Sequence, residues 1–500
     1  MLRLLILLLS VFMYVKAESQ QWIVDYPYSE NEMVCFTGGD VSGEYNYSVG
    51  FRYDKDRDVY NPIALCFDSD GNYKDKSYHE IIHKGYFCYA LGLGDGTAFV
   101  VARYGDDVKN DVYEKLWFAI IDTEMEIIRE KRVEIEKPYI TYGNTMHALK
   151  NDKNEIVVVS QIARHVSHEE DYNHSCDYVF YKMNMECDSL KCSYLKNTSL
   201  NSEISDFTTV PNTDRYAVFG NGMNGNNVES VFYIDGDLNY VSCDFIDDID
   251  NYPNILRPKF MSVDHWLDEN SFIMSLQSPI INGVSKWRPL VLKMDVDMKV
   301  IDMLSLDSFD KTNYVSQFRN MAYVDQGTIY ISTFEYSDAI NAAISNKATI
   351  YLINEDLELL GIKELEMKHY LNVLYVQPTL DKGCIIQGYI DDGERKQSVI
   401  CKLTKSDFEI STYLNQKELL DMNVYPNPVS SLLNIDVLNV EDEIVKLRIF
   451  DMLGRRYLDK DVIVKNGILS IDVSLLTNGV YLCYMEYDER CCLKRIFIKE

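Results

Sequence analysis

Five hundred residues at 58.0 kDa exceed one ordinary domain, and 47% hydrophobic with 25% charged residues excludes a disordered or fibrous chain. Forty-nine Lys plus Arg against 78 Asp plus Glu leave a formal charge of −29, a field that repels phosphate backbones and anionic lipid heads. Nucleic acid is therefore not an expected partner, and no internal apolar run is long enough to read as a transmembrane span of the mature chain.

In chain order, the first element is a signal peptide over residues 1–17. Arg3 precedes the apolar stretch Leu4 to Val15, and Val15-Lys16-Ala17 offers small or modest side chains to a signal peptidase, with cleavage expected before Glu18. Twelve such residues are too few to cross about 30 Å of hydrocarbon as a helix. All twelve Cys then enter an oxidising compartment, where Cys176, Cys187 and Cys192 are close enough in sequence for a local bridge. No paired C-x-x-C indicates zinc.

From residue 18 to 415 a four-part unit recurs. Its clearest member is an apolar run before a turn, closing in most copies on an acidic or polar residue: Ile63 to Asp68, Phe118 to Asp122, Tyr178 to Met183, Val231 to Asp235, Leu290 to Asp295, Ile350 to Asn354 and Val399 to Leu403. The intervals of roughly 50 to 60 residues fall in the range of propeller blades. A second β-type run precedes each, beginning at Tyr47, Ala98, Ile156, Tyr216, Phe272, Ile329 and Cys384, with a shorter run before it and a fourth run after. Alternation and β-branched content predict strands, and no window sustains a helical period. The expectation is an all-β chain, a seven-bladed β-propeller whose units each supply four strands. Loops between the second and third strands vary most, the longest from Ala163 to Asp177, and variable loops on a rigid scaffold are where function resides.

Three motifs need weighing. His79-Glu80-Ile81-Ile82-His83 matches H-E-x-x-H, which on a helix would place two imidazoles on one face for zinc. The repeat predicts instead a fourth strand here, on which residues four apart stand about 13 Å apart, too far for one ion. Asp68-Ser69-Asp70-Gly71-Asn72 resembles a calcium loop but lacks its spacing, and reads as a hairpin turn. His165, His168 and His174, interleaved with Glu169, Glu170 and Asp171, sit in the longest loop, and Trp287 is an aromatic in another predicted loop. These four are the candidate binding residues. No metal site or cofactor is assigned, and no nucleophile elbow, phosphate loop or dinucleotide fingerprint is present.

After a linker at 416–422 the rhythm changes. Tyr425-Pro426-Asn427-Pro428 opens a stretch of short alternating runs over 423–500, expected to form a small immunoglobulin-like β-sandwich. Pro426, Asn427 and Pro428, then Ile449-Phe450-Asp451 with Gly454-Arg455, Ile471-Asp472-Val473-Ser474, Leu476-x-x-Gly479-x-Tyr481 and the closing Lys494-Arg495-Ile496-Phe497-Ile498-Lys499 occur in a fixed order. This segment resembles the C-terminal sorting domain of type IX secretion in Bacteroidota. The resemblance implies export through the outer membrane by the type IX machinery, with residues 423–500 as the recognised part. Tandem Cys491-Cys492 departs from the family pattern and leaves open whether the domain is cleaved.

The functional expectation is a secreted or surface-displayed binding module for an extracellular glycan or protein. The alternative is a hydrolase, glycosidase-like, working from the propeller rim with two suitably spaced carboxylates.

Overall fold

A computed structural model describes residues 22–26, 32–82, 84–105, 113–137, 139–164, 177–196, 202–222, 229–246, 259–281, 284–306, 312–315, 319–336, 344–391, 396–410, 422–437, 444–451, 455–464, 468–487 and 491–500. Among them there is no α-helix, and the chain divides into two compact units, Met1–Glu409 and Ile410–Glu500.

Among its described residues the first unit contains seven antiparallel sheets that follow one another along the chain. The first is Glu32–Ser42, Tyr45–Asp54, Val59–Phe67 and Tyr73–Ser77. The second begins at Gly85–Gly92 and ends at Ile127–Glu134, the third runs from Tyr139–Lys150 to Leu190–Leu195, and the fourth from Ser202–Val210 to Tyr240–Ile246. The fifth runs from Lys259–Trp266 to Val300–Ser305. In the sixth the first strand is split into Thr312–Val315 and Met321–Asp325, both laid on Thr328–Tyr336. The seventh holds Tyr370–Pro378, Cys384–Asp391 and Lys396–Leu403.

A five-residue turn repeats between the third and fourth strands of the first six sheets, and it accounts for the polar residue that closes or follows the apolar run in each of them. At Asp235 the carboxylate accepts from the N–H groups of Asp237 (2.9 Å) and Asn239 (2.8 Å), while Leu238 N–H donates to the Asp235 carbonyl (2.8 Å). Asp68, Asp122, Asn184, Asp295 and Asn354 play the same part in their own sheets. The fourth turn residue has positive φ, a conformation in which a Cβ is strained unless something offsets it. Gly71 is free of that strain, but Met125, Cys187, Leu238, Met298 and Leu357 also adopt it, and each buries its side chain. Burial of an apolar side chain offsets the strain, so glycine is not required and the motif is hard to recognise as a turn.

Packing between the sheets is cyclic. The first strand of each sheet lies against the first strand of the next, and Tyr370–Pro378 of the seventh lies against Glu32–Ser42 of the first. One apolar cluster fills each of the seven interfaces, for example Tyr47, Ala64, Phe87, Val100 and Trp117 between the first and second sheets. Others are Val157, Phe180, Val218 and Phe232 between the third and fourth, and Val34, Leu65, Ile385 and Ile400 between the seventh and first. Each sheet is thus buried on both faces, which is why its central strands read as continuous apolar runs.

One expectation needs correction: the seventh unit does not supply its own fourth strand. Trp22–Asp25, from the start of the described chain, pairs with Lys396–Leu403 and completes that sheet, with Trp22 opposite Lys402 and Asp25 opposite Val399. Glu409–Ile410, which follows the seventh unit, joins the outer edge of the sixth sheet instead. An edge strand left open would expose unpaired backbone groups, and this exchange covers it while tying the two ends of the unit together.

In the second unit a three-stranded sheet (Met422–Tyr425, Leu432–Val437, Ile468–Asp472) and a four-stranded sheet (Arg456–Ile463, Ile444–Asp451, Gly479–Tyr487, Cys491–Lys499) share one core. Leu433, Ile435, Leu447, Ile449, Tyr481 and Phe497 are among its buried members.

Candidate functional site: a polar cavity among the first strands

Side chains from the first strands of several sheets converge on one polar place. A cavity of about 70 Å³ is lined by Tyr89 of the second sheet, His147 of the third, Asp206, Phe207 and Thr208 of the fourth, and Val263 of the fifth. Arg319, just ahead of Met321–Asp325, and Tyr375 of the seventh complete the lining. Asp40 of the first sheet reaches the same place through Arg319, its Oδ1 lying 3.8 Å from a guanidinium nitrogen. In four of these strands the pairing register slips beside the lining residue, at Phe87/Tyr89, Ile204/Asp206, Val373/Tyr375 and Ser262/His265. A bulge re-aims the side chain that follows it, and such bulges recur beside sites.

The two carboxylates are held by backbone from the next sheet. Asp40 Oδ2 accepts from Gly92 N–H (2.9 Å) and Oδ1 from Val41 N–H (2.9 Å). Asp206 Oδ2 accepts from Val263 N–H (2.7 Å) and Oδ1 from Phe207 N–H (2.8 Å). Charge-assisted bonds of this kind fix the carboxylates in place and join consecutive sheets. His147 Nδ1 stands 3.9 Å from Asp206 Oδ1, and its ring lies 5.4 Å from that of Tyr89. Burial, and then the nearby Arg319 guanidinium, hold the imidazole neutral by lowering its pKa to about 3, against a smaller opposing hydrogen bond with the Ile204 backbone. Arg319 lies over the Tyr375 ring at 5.8 Å. The cavity therefore offers fixed acceptors, one guanidinium and a neutral imidazole beside aromatic rings, a set suited to a small ligand with several hydrogen-bonding groups.

None of these lining residues stands out in the sequence, because each is one polar residue in a short strand. Their only shared signal is position, at the same stage of each unit shortly before the first turn. The residues singled out from sequence are not among those that line this cavity in the described part of the chain. His165, His168 and His174 fall outside the described residues. Trp287 belongs to the strand Val284–Asp295 rather than to a loop, because the hairpin continues past it, with Ser285 opposite Ile280 and Val284 opposite Ile281.

The H-E-x-x-H segment also differs from expectation. The fourth strand ends at Ser77, and the N–H groups of Ile81 and Ile82 both donate to the Tyr78 carbonyl (2.9 Å each), forming a single turn. Tyr78 and Ile82, four apart, are both buried in the core between the first and second sheets, and a turn brings them to one side. His79 and Glu80 are left exposed, and His83 lies outside the described residues. Among the described residues, no three His, Cys, Asp or Glu side chains are grouped to hold a metal. Cys187 and Cys192 are free thiols, and Cys176 lies outside the described residues.

In the second unit the motif residues have structural work. Asn427 Oδ1 accepts from Ile498 N–H (2.8 Å), and Val429 N–H donates to the Ile498 carbonyl (2.8 Å), which ties the exposed Pro426-Asn427-Pro428 segment to the last strand. Tyr481 is buried and its hydroxyl donates to the Thr477 carbonyl (2.8 Å), just ahead of Gly479, which opens the strand Gly479–Tyr487. Lys494 is in the last strand opposite Tyr484, and Gly454 lies outside the described residues, between Asp451 and Arg455, whose backbone groups pair at 3.0 Å.

No curated protein matches the chain. Among solved structures it is similar to an acylaminoacyl peptidase of Pyrococcus horikoshii at 11% identity and a TM-score of 0.42, covering 80% of this chain and 57% of that one. It is also similar to the β-propeller domain of the Trilobed protease from Pyrococcus furiosus, at 8% identity and a TM-score of 0.42 over 76% of this chain and 95% of that one. A puromycin hydrolase shows 8% identity and a TM-score of 0.45 over 81% and 59% of the two chains. The chain thus spans under two thirds of the peptidase's length, and likeness at this level says nothing about activity. Residues 423–499 match the secretion system C-terminal sorting domain, and the chain is accordingly exported by type IX secretion to the cell surface or the extracellular space.

Proposed function

We propose that the chain is an exported binding module. Its residues 18–415, freed of the signal peptide 1–17, form a closed seven-bladed β-propeller, and residues 423–500 form an immunoglobulin-like sandwich that engages the type IX machinery. Cyclic packing of seven sheets, one apolar cluster per interface and the N-terminal strand on the last sheet support the ring. The observation that carries the functional reading is the convergence of first strands from five sheets, with Arg319 and its partner Asp40, on a single polar cavity. In a propeller the first strands surround the axis, where ligands commonly sit. The ligand is a glycan or a protein segment, and the mixture of carboxylates, guanidinium and tyrosine favours a hydroxyl-rich glycan terminus. His165, His168, His174 and Trp287 are proposed to extend the contact from the rim.

The test is to expose the purified secreted protein to host mucin and plant glycans, following both retention and product mass. Retention that disappears in Arg319→Ala supports the reading; retention unchanged by Arg319→Ala and by Asp206→Asn refutes the cavity as its seat. The hydrolase alternative draws on the presence of two carboxylates, Asp40 and Asp206, at one cavity. Release of shortened glycans by the unchanged protein, abolished in Asp206→Asn, would establish it.

A further inference from the structure

The seven inter-sheet clusters are unequal. Among the described residues, nineteen buried apolar side chains fill the interface of the second and third sheets, but only eight fill that of the seventh and first. Buried polar side chains share the faces of this smaller cluster. On the first sheet Ser48 stands opposite Leu65 and Asn46 opposite Phe67, so both share the face that those two apolar residues present to the seventh sheet. On the seventh, Gln377 stands opposite Ile385, and Gln387 is two residues beyond it, so both amides share Ile385's face toward the first sheet.

Gln377, Gln387 and Ser48 are fully buried and Asn46 nearly so. Both Oε1 and Nε2 of each glutamine, together with Ser48 Oγ and Asn46 Oδ1, have no hydrogen-bond partner within the protein. They are also close together. Gly39 is opposite Ser48, and a Cβ added to it would meet Gln377 Oε1, Gln387 Nε2 and the Tyr47 carbonyl, each at 2.5 Å. Glycine at this position leaves room for the amides to reach the backbone of the first sheet. The interface of the fifth and sixth sheets solves the same problem differently, since Gln277 Oε1 accepts from Val315 N–H at 2.7 Å.

Buried polar groups in native proteins find partners, and six orphans on two facing surfaces call for a common one. The set is neutral and mixes donors with acceptors. A metal ion would leave the amide N–H groups unpaired, and no carboxylate belongs to the set, whereas water both donates and accepts. We propose that the seam between the first and seventh sheets is a binding site for ordered water, a buried cluster that bridges Gln377 and Gln387 to Ser48 and Asn46. At about three hydrogen bonds per buried molecule, six atoms require at least two waters.

The test uses the full secreted chain. A high-resolution crystal structure is expected to place two or more waters within hydrogen-bond distance of the two amides. Water relaxation dispersion is expected to count about two fewer long-lived internal molecules in Gln377→Leu/Gln387→Leu than in the unchanged protein. Direct pairing of the two glutamines with no water between them overturns the proposal, as does an equal water count. An unfolding midpoint that falls when sodium and potassium are replaced by choline overturns it in favour of a monovalent cation. Should the double variant fail to fold, Gln387→Met enters the same comparison, and the crystal structure of the unchanged protein decides independently.

Discussion

The neutral imidazole of His147 makes the stability of the first unit depend on pH in a definite direction. Its side chain is 15% exposed, and it faces Asp206, Tyr89 and Arg319, with Asp40 and Tyr375 on the far sides of that guanidinium. An unfolded histidine titrates near about 6.5. In the folded chain the value is lowered to about 3. Between these limits the unfolded state binds a proton that the folded state refuses, so stability present above about pH 6.5 is lost as pH falls, at up to about 1.4 kcal/mol per unit, and the loss levels off near the folded value. From pH 7 to pH 5 this amounts to about 2 kcal/mol. Replacement by glutamine, His147→Gln, keeps a donor for the Ile204 backbone but removes the titration. Urea unfolding of both proteins at pH 7 and pH 5 is the assay. The unchanged protein should lose about 2 kcal/mol more than the variant over that interval. Equal losses, or an imidazole resonance of His147 that titrates near pH 6.5, would refute the reasoning.

Three further outcomes follow from other features. Asp235→Ala removes the acceptor for two turn N–H groups and should lower stability by about 1 to 2 kcal/mol by urea unfolding, because the carboxylate, whose pKa is lowered chiefly by its hydrogen bond with the Asn239 backbone, is bound in its charged form. Lys402 is 2% exposed and joins Asp381 (2.7 Å) to the Ser69 carbonyl (3.1 Å), so Lys402→Ala should cost about 2 kcal/mol by the same assay, and Lys402→Met should recover part of it. A chain ending before residue 423 should accumulate in the periplasm of a type IX secreting host, as read by fractionation, while the full chain reaches the medium or the surface.

The repeat was legible where a strand is buried on both faces and ends at a polar turn residue, as in Val231 to Asp235, because the composition and the turn are both local. The completion of the seventh sheet was not. Trp22–Asp25 is a four-residue strand whose partner lies near residue 400, and nothing within four residues encodes that distance. The turn at Tyr78 to Ile82 is not legible, because two apolar residues four apart serve a single turn, and a turn that short carries no period. The repeat puts Trp287 in a loop, yet the hairpin continues past it, and Pro289 sits within the strand opposite Gln277. The cavity was invisible for a different reason. Asp40, His147, Asp206 and Arg319 come from four separate units, and their meeting is a property of the cyclic packing.

The pairing of Trp22–Asp25 with Lys396–Leu403 also sets an order of events. A chain that crosses a membrane from its amino end delivers Trp22 first, but the edge that this strand must cover does not exist until six other sheets and most of a seventh have followed. Each of those sheets can form from neighbours in sequence, whereas the contacts between the first and seventh sheets join segments more than 300 residues apart. The entropic cost of closing a loop of nearly the whole unit therefore falls on the final step of folding. Until that step the last sheet keeps an open edge, so a chain that loses Trp22–Asp25 should expose the unpaired backbone of Lys396–Leu403.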